Sequence, residues 1–164
     1  MNSVIIDKIK SDKILSKIEK TFTNEIYIVG GTVRDFYLGL ESSDRDIIVM
    51  DEDARSFSLK LAELFDATFV PLDEENKIYR IVLPDKINYI DVTNPVGDSI
   101  ENDLMRRDLT INAIAVNLRT GELIDISGGV TDIKNKCINY VNELNFVDDP
   151  LRLLRVYRFQ ALYG

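Results

Sequence analysis

The 164-residue chain is 45% hydrophobic, enough for one buried core plus a fragment of a second unit. It has no histidine and a single cysteine, Cys137, so Ser-His-Asp and Cys-His nucleophile systems, histidine zinc sites and an internal disulfide are all excluded. The net charge of −8 argues against a broad nonspecific phosphate-binding surface, although Arg106 with Arg107, and Arg152 with Arg155 and Arg158, are grouped closely enough to line a basic pocket.

No stretch approaches the ~20 consecutive apolar residues of a membrane span, and the N-terminus alternates charge with Ile and Leu. A soluble, cytoplasmic protein is expected. Ile5, Ile6, Ile9, Ile14, Leu15 and Ile18 recur at helical intervals, which predicts one or two amphipathic helices over 4–22. Ile26 to Val29 reads as a short buried strand, broken by Gly30-Gly31, and Thr32 to Leu38 as a helix stopped by Gly39. Further strands are predicted at Asp46 to Met50, Ala67 to Val70, Ile78 to Leu83 and Ile87 to Val92, with a helix over Ser56 to Phe65. Asn112 to Leu118 and Leu123 to Ile126 flank a glycine-containing turn and predict a hairpin. After Gly128-Gly129 comes a short helix. Asp149-Pro150 then suits the N-cap and first position of an arginine-studded helix, LRLLRVYRFQAL. The fold class is α/β (α+β), a sheet with helices.

The strongest constellation is VGGTVRDFYLGLESSDRDIIV, which sets a glycine turn ahead of Asp44 and Asp46. Side chains at i and i+2 of a strand share a face, so these two carboxylates lie side by side, as a pair of Mg²⁺ ions about 3.5 to 4 Å apart requires. A glycine turn opening a helix lets backbone N–H groups approach phosphate oxygens. Taken singly, a Gly-Gly turn is also an ordinary loop and Asp-x-Asp also a solvated strand start.

These residues resemble the nucleotidyltransferase superfamily to which DNA polymerase beta belongs. GGTVRD is similar to the GGxVRD of class II tRNA nucleotidyltransferases, the CCA-adding enzymes, and of bacterial poly(A) polymerases. Arg45 departs from the apolar residue usual between the carboxylates, and it should face the other side of the sheet and alter packing only. RRDLTINAIAV at 106–116 is similar to the family's RRDFTINAxA. The resemblance implies nucleotide contacts by Gly30, Gly31, Arg34, Arg107, Asp108 and Asn112. Guanidinium groups suit phosphate oxygens, and Asp or Asn can bond a sugar hydroxyl; Asp108 as a helix cap beside surface arginines is the alternative. DISGGVTDI at 125–133 resembles the linker between head and neck, either a hinge or a plain turn. DDPLRLLRVYRF at 148–159 resembles the neck segment EDxxRxxRAxRF, with Asp148 for Glu and Val156 for Ala. There the resemblance implies that Asp149 and Arg152 pair with the incoming base, whereas the residues alone also allow Asp149 to be a simple N-cap. Arg155 and Arg158 extend the basic face. The superfamily's third carboxylate is carried to Asp91, which could instead cap the turn that follows it.

The resemblance therefore implies a nucleotidyltransferase head over residues 1–126, with a mixed sheet flanked by helices, and a linker with the first part of a helical neck over 127–164. The implied reaction is Mg²⁺-dependent addition of CMP or AMP from CTP or ATP to the 3′ end of tRNA. A poly(A) polymerase, a small-molecule nucleotidyltransferase and a non-catalytic RNA-binding fragment are the alternatives. Family members continue through helical body and tail regions that grip tRNA, so this segment is expected to bind nucleotide yet extend tRNA poorly unless a partner or second copy supplies the grip. The short span between Asp91 and Arg106 favours CC-adding or A-adding specialisation.

Overall fold

The computed structural model describes residues 2–148 and 151–163, with side chains for 5–147 and 151–161. Helices α1 (Asn2–Ser11) and α2 (Lys13–Thr21) open the chain. Asp12 separates them and caps the second, its carboxylate accepting from the Ile14 and Leu15 N–H groups at 2.9 Å each. Then come β1 (Ile26–Val29), α3 (Gly31–Tyr37), β2 (Asp44–Val49), α4 (Ala54–Phe65), β3 (Thr68–Asp73), β4 (Ile78–Val82), β5 (Tyr89–Thr93) and α5 (Ile100–Met105). A 3-10 turn at Thr110–Asn112 leads into the hairpin β6 (Ala115–Asn117) and β7 (Leu123–Ile124), followed by α6 (Gly129–Asn135), α7 (Leu144–Asp148) and α8 (Arg152–Tyr163).

The strands form one mixed sheet in the order β3-β4-β5-β2-β1-β6-β7, in which only β2 and β5 run parallel. Period-2 alternation divides its side chains between two apolar layers. Ile26, Ile28, Ile47, Val49, Ile90 and Val92 join Ile5, Ile9, Leu15, Ile18, Phe36 and Phe57 in the larger cluster. Tyr27, Val29 and Ile48 face the other way, against Ile100, Leu104 and Ala115. The central strands are thus covered on both faces, which explains why IYIV and IIV read as continuous apolar runs. The same alternation sends Asp44 and Asp46 to the face of Ile48, and Asp91 to the face opposite Ile90 and Val92.

The C-terminal elements fold back on the segment after α5. Leu109 bridges to Tyr140, the Thr110 N–H donates to the Asn139 carbonyl at 3.0 Å, and Leu109, Ile111 and Phe159 form a third apolar cluster.

The mixed sheet with flanking helices agrees with the sequence expectation, and the element boundaries differ in informative places. β2 begins at Asp44, so both carboxylates of the pair stand on the strand. β5 begins at Tyr89 because the Asp85 side chain and a left-handed Lys86 make residues 85–88 a turn. Asn112 belongs to a 3-10 turn and not to a strand, since its side chain is drawn inward to Arg34. α5 and α7, of six and five residues, are too short to show a helical period.

Candidate active site

β2 and β5 set the carboxylates. Their parallel register places Asp46 opposite Asp91, and Asp44 stands two residues before Asp46 on the same face. Carboxylate oxygens of all three lie within 4.8 Å of one another, an all-oxygen donor set suited to a hard divalent cation. The charges work against each other. Burial, followed by the like charges of Asp44 and Asp91, pushes Asp46 up to about 6, and burial and then Asp91 raise Asp44 above the usual carboxylate range. Arg80, directly across from Asp91 on β4, offsets part of this repulsion: its Nε and Nη2 donate to the two Asp91 oxygens at 2.7 Å each, and Nη2 stands 3.7 Å from Asp44. Arg80 also lies over the Tyr89 ring, 5.0 Å from its centroid.

Beside the carboxylates, β1 turns into α3 at Gly30. Its φ of +64° is a conformation that glycine adopts without strain, and a Cβ there would stand 2.9 Å from Arg107 Nη1 and 3.5 Å from Asp46 Oδ2. The positive φ is what calls for glycine here, since a Cβ would meet only the movable end of Arg107 and an ordinary contact with Asp46. Gly30, Gly31 and Thr32, at the start of α3, line the same cleft as the carboxylates. Thr32, in that turn, bonds through its hydroxyl to the backbone of both Asp44 and Asp46. Arg34 is buried; it pairs with Asp35, donates to the Asn112 side chain and stacks on Phe159 at 4.7 Å.

The third wall is the segment around 103–112. Asp103 is fully buried and receives both flanking arginines, with Arg106 Nη2 at 2.7 Å and Arg107 Nη2 at 2.9 Å. Burial alone would raise this carboxyl, but Arg107 and Arg106 more than offset it and hold it below the ordinary value. With Nε and Nη2 spent on Asp103, Arg107 presents Nη1 to the Gly30 turn and, at 3.4 Å, to the Asn112 carbonyl. Asp108 is buried and accepts from its neighbour's N–H at Leu109 and from Arg155 Nη1 at 3.1 Å. Arg152 Nη1 donates to the carbonyls of Arg106 and Asn145, tying α8 to the same segment.

One open cleft of about 590 Å³ is lined by Gly30, Gly31, Arg34, Asp44, Asp46, Asp91, Arg107, Asp108, Asn112, Arg152, Arg155 and Arg158. These are all the sequence-derived candidates except Asp149, which lies outside the described residues. Arg45 faces the opposite layer: it is buried and pairs with Asp12 at 2.7 Å. Three residues that shape the site went unread in the sequence: Arg80, Asp103 and Thr32. Of these only Asp103 left a local signal, a carboxylate three and four residues ahead of Arg106 and Arg107 on a helical turn.

The Poly A polymerase head domain family matches residues 26–139. The CC-adding tRNA nucleotidyltransferase of Synechocystis is 41% identical over 136 residues, covering 82% of this chain and 32% of that protein. Among solved structures, the Thermotoga maritima CCA-adding enzyme complexed with tRNA superposes with a TM-score of 0.80 at 34% identity, covering 96% of this chain and 40% of its own. A CCA-adding enzyme with CTP gives a TM-score of 0.77 at 33% identity, covering 96% and 41%. The chain thus spans well under half the length of each of these relatives.

Proposed function

From a chain that belongs to the Poly A polymerase head domain family, we propose a nucleotidyltransferase that adds CMP or AMP from CTP or ATP to the 3′ end of tRNA, with residues 1–126 as its catalytic head and 127–164 as the linker and first part of the neck. The observation that carries the proposal is the meeting, in one cleft, of three crowded carboxylates with a glycine turn and a ring of arginines. The names of the relatives point to the same substrates.

Asp44 and Asp46, with Asp91 beside them, would hold Mg²⁺. When bound, Mg²⁺ supplies a lowered pKa for the attacking hydroxyl and neutralisation of charge on the phosphates. The 3′-hydroxyl oxygen forms a bond to the α-phosphorus, the bond to the β-phosphate oxygen breaks, the hydroxyl proton is lost, and pyrophosphate leaves. Arg107, fixed by Asp103, offers Nη1 to a phosphate oxygen, and the Gly30-Gly31 turn lets the chain approach closely. Asp108 and Asn112, which line the same cleft, would meet the ribose. Asp149 and Arg152 would read the base edge, favouring the exocyclic amino group of cytosine and adenine. Arg155 and Arg158 add positive charge at the mouth of the cleft.

Calorimetric titration with CTP tests the phosphate role. Binding should depend on Mg²⁺, and Arg107→Ala should weaken it by about 1 to 3 kcal/mol, the loss of a charge-assisted contact. Wild-type affinity in that variant would remove Arg107 from the site.

A further inference from the structure

The structure assigns Thr32 as a positioning residue that completes the β-ladder beneath Asp44 and Asp46 and so sets the cation affinity of the carboxylate pair; this rests on the metal reading of the cleft. The β1–β2 ladder runs only from Ile26 opposite Val49 to Ile28 opposite Ile47. Beyond that point β1 departs into the Gly30 turn, while β2 continues outward as Asp46, Arg45 and Asp44. On its other edge β2 remains paired with β5 through Asp44 opposite Tyr89 and Asp46 opposite Asp91. On the β1 side, the Asp46 N–H and the Asp44 carbonyl have lost their strand partner.

Thr32 replaces it. Its hydroxyl donates to the Asp44 carbonyl at 3.0 Å and accepts from the Asp46 N–H at 3.0 Å, and the residue is 1% exposed. One side chain thus satisfies the donor and the acceptor that a missing strand residue would have satisfied. Fixing these two backbone groups fixes the direction in which both carboxylates leave the strand. Because Thr32 follows Gly30-Gly31 directly, the same hydroxyl ties the glycine turn to the carboxylate strand. A carboxylate pair that must be brought together from a looser backbone binds a cation less tightly, since ordering is then charged against binding.

Thr32→Val keeps the shape and removes both hydrogen bonds; Thr32→Ser restores them. Binding of Mn²⁺ alone, followed by electron paramagnetic resonance on folded protein, reads the effect without turnover. The expected result is Mn²⁺ affinity weakened by about tenfold in Thr32→Val, as two lost hydrogen bonds allow, and returned to within about twofold of wild type in Thr32→Ser, where both bonds can re-form. Thr32→Ala, which leaves room for water, covers the case in which valine prevents folding and is expected to lose at least about threefold, less than valine because water can replace part of the bonding. Wild-type Mn²⁺ affinity in folded Thr32→Val or Thr32→Ala, accompanied only by a lower melting temperature, would reduce Thr32 to a structural residue and overturn the inference. Failure of the wild-type protein to bind Mn²⁺ would instead overturn the metal reading on which the inference rests.

Discussion

At Asp46, burial and the facing charges of Asp44 and Asp91 act in the same direction, holding its folded value near 6 against an ordinary 3.8. The folded protein therefore binds more protons than the unfolded chain between those values, and stability falls as pH rises through that window. Ionised Asp46 is a cost carried at neutral pH for the sake of the site. Asp46→Asn should be more stable than wild type at pH 7 by on the order of 3 kcal/mol, with most of the difference gone by about pH 4. Urea unfolding at both pH values measures this, and a difference that does not change with pH would contradict the electrostatic account. Asp44 and Asp46 were legible in the sequence because strand alternation is a local rule. Arg80 was not, because its pairing with Asp91 depends on cross-strand register between β4 and β5. Thr32 was hidden for a similar reason: its partners are backbone groups of a strand twelve or more residues away.

Among the elements, the α1–α2 pair packs its apolar face on the sheet and is also tied to it by a buried ion pair. Asp12 caps α2 with one oxygen and receives the Arg45 guanidinium with the other. The sequence indicates the helices and the outward turn of Arg45 from the carboxylates, but not this partner, which lies 33 residues away. Arg45 also donates to the Asn88 side chain at 2.9 Å, joining the helical pair to the turn before β5. Asp12→Ala strips a buried guanidinium of its charge partner and removes a cap, and should cost about 3 to 5 kcal/mol in chemical denaturation. A loss below about 1 kcal/mol, the range of an exposed pair, would mean that Arg45 finds water or another acceptor. Asn112 stands in a turn where the sequence predicts a strand, because tertiary contacts of the Thr110–Asn112 turn to Arg34 and Asn139 outweigh the β-propensity of the INAIAV run.

Over the whole molecule, a chain of net charge −8 concentrates its arginines on one cleft, opposite a group of carboxylates that repel each other. Such a cleft suits a polyanion delivered together with a divalent cation, since each partner relieves part of the strain imposed by the other side. Large apolar side chains remain exposed on α7 and α8, including Leu144, Val147, Leu154 and Tyr157, and no helix among the described residues is long and apolar enough to cross a membrane. Incorporation of labelled CTP into tRNA lacking its CCA end, with wild type and Asp46→Ala compared in the presence of Mg²⁺, tests whether this cleft transfers nucleotides. Slow addition by the wild-type chain is expected, abolished by Asp46→Ala and by removal of Mg²⁺. Addition that persists at the wild-type rate in Asp46→Ala, or a wild-type chain that adds no nucleotide at all, would contradict that role of the cleft.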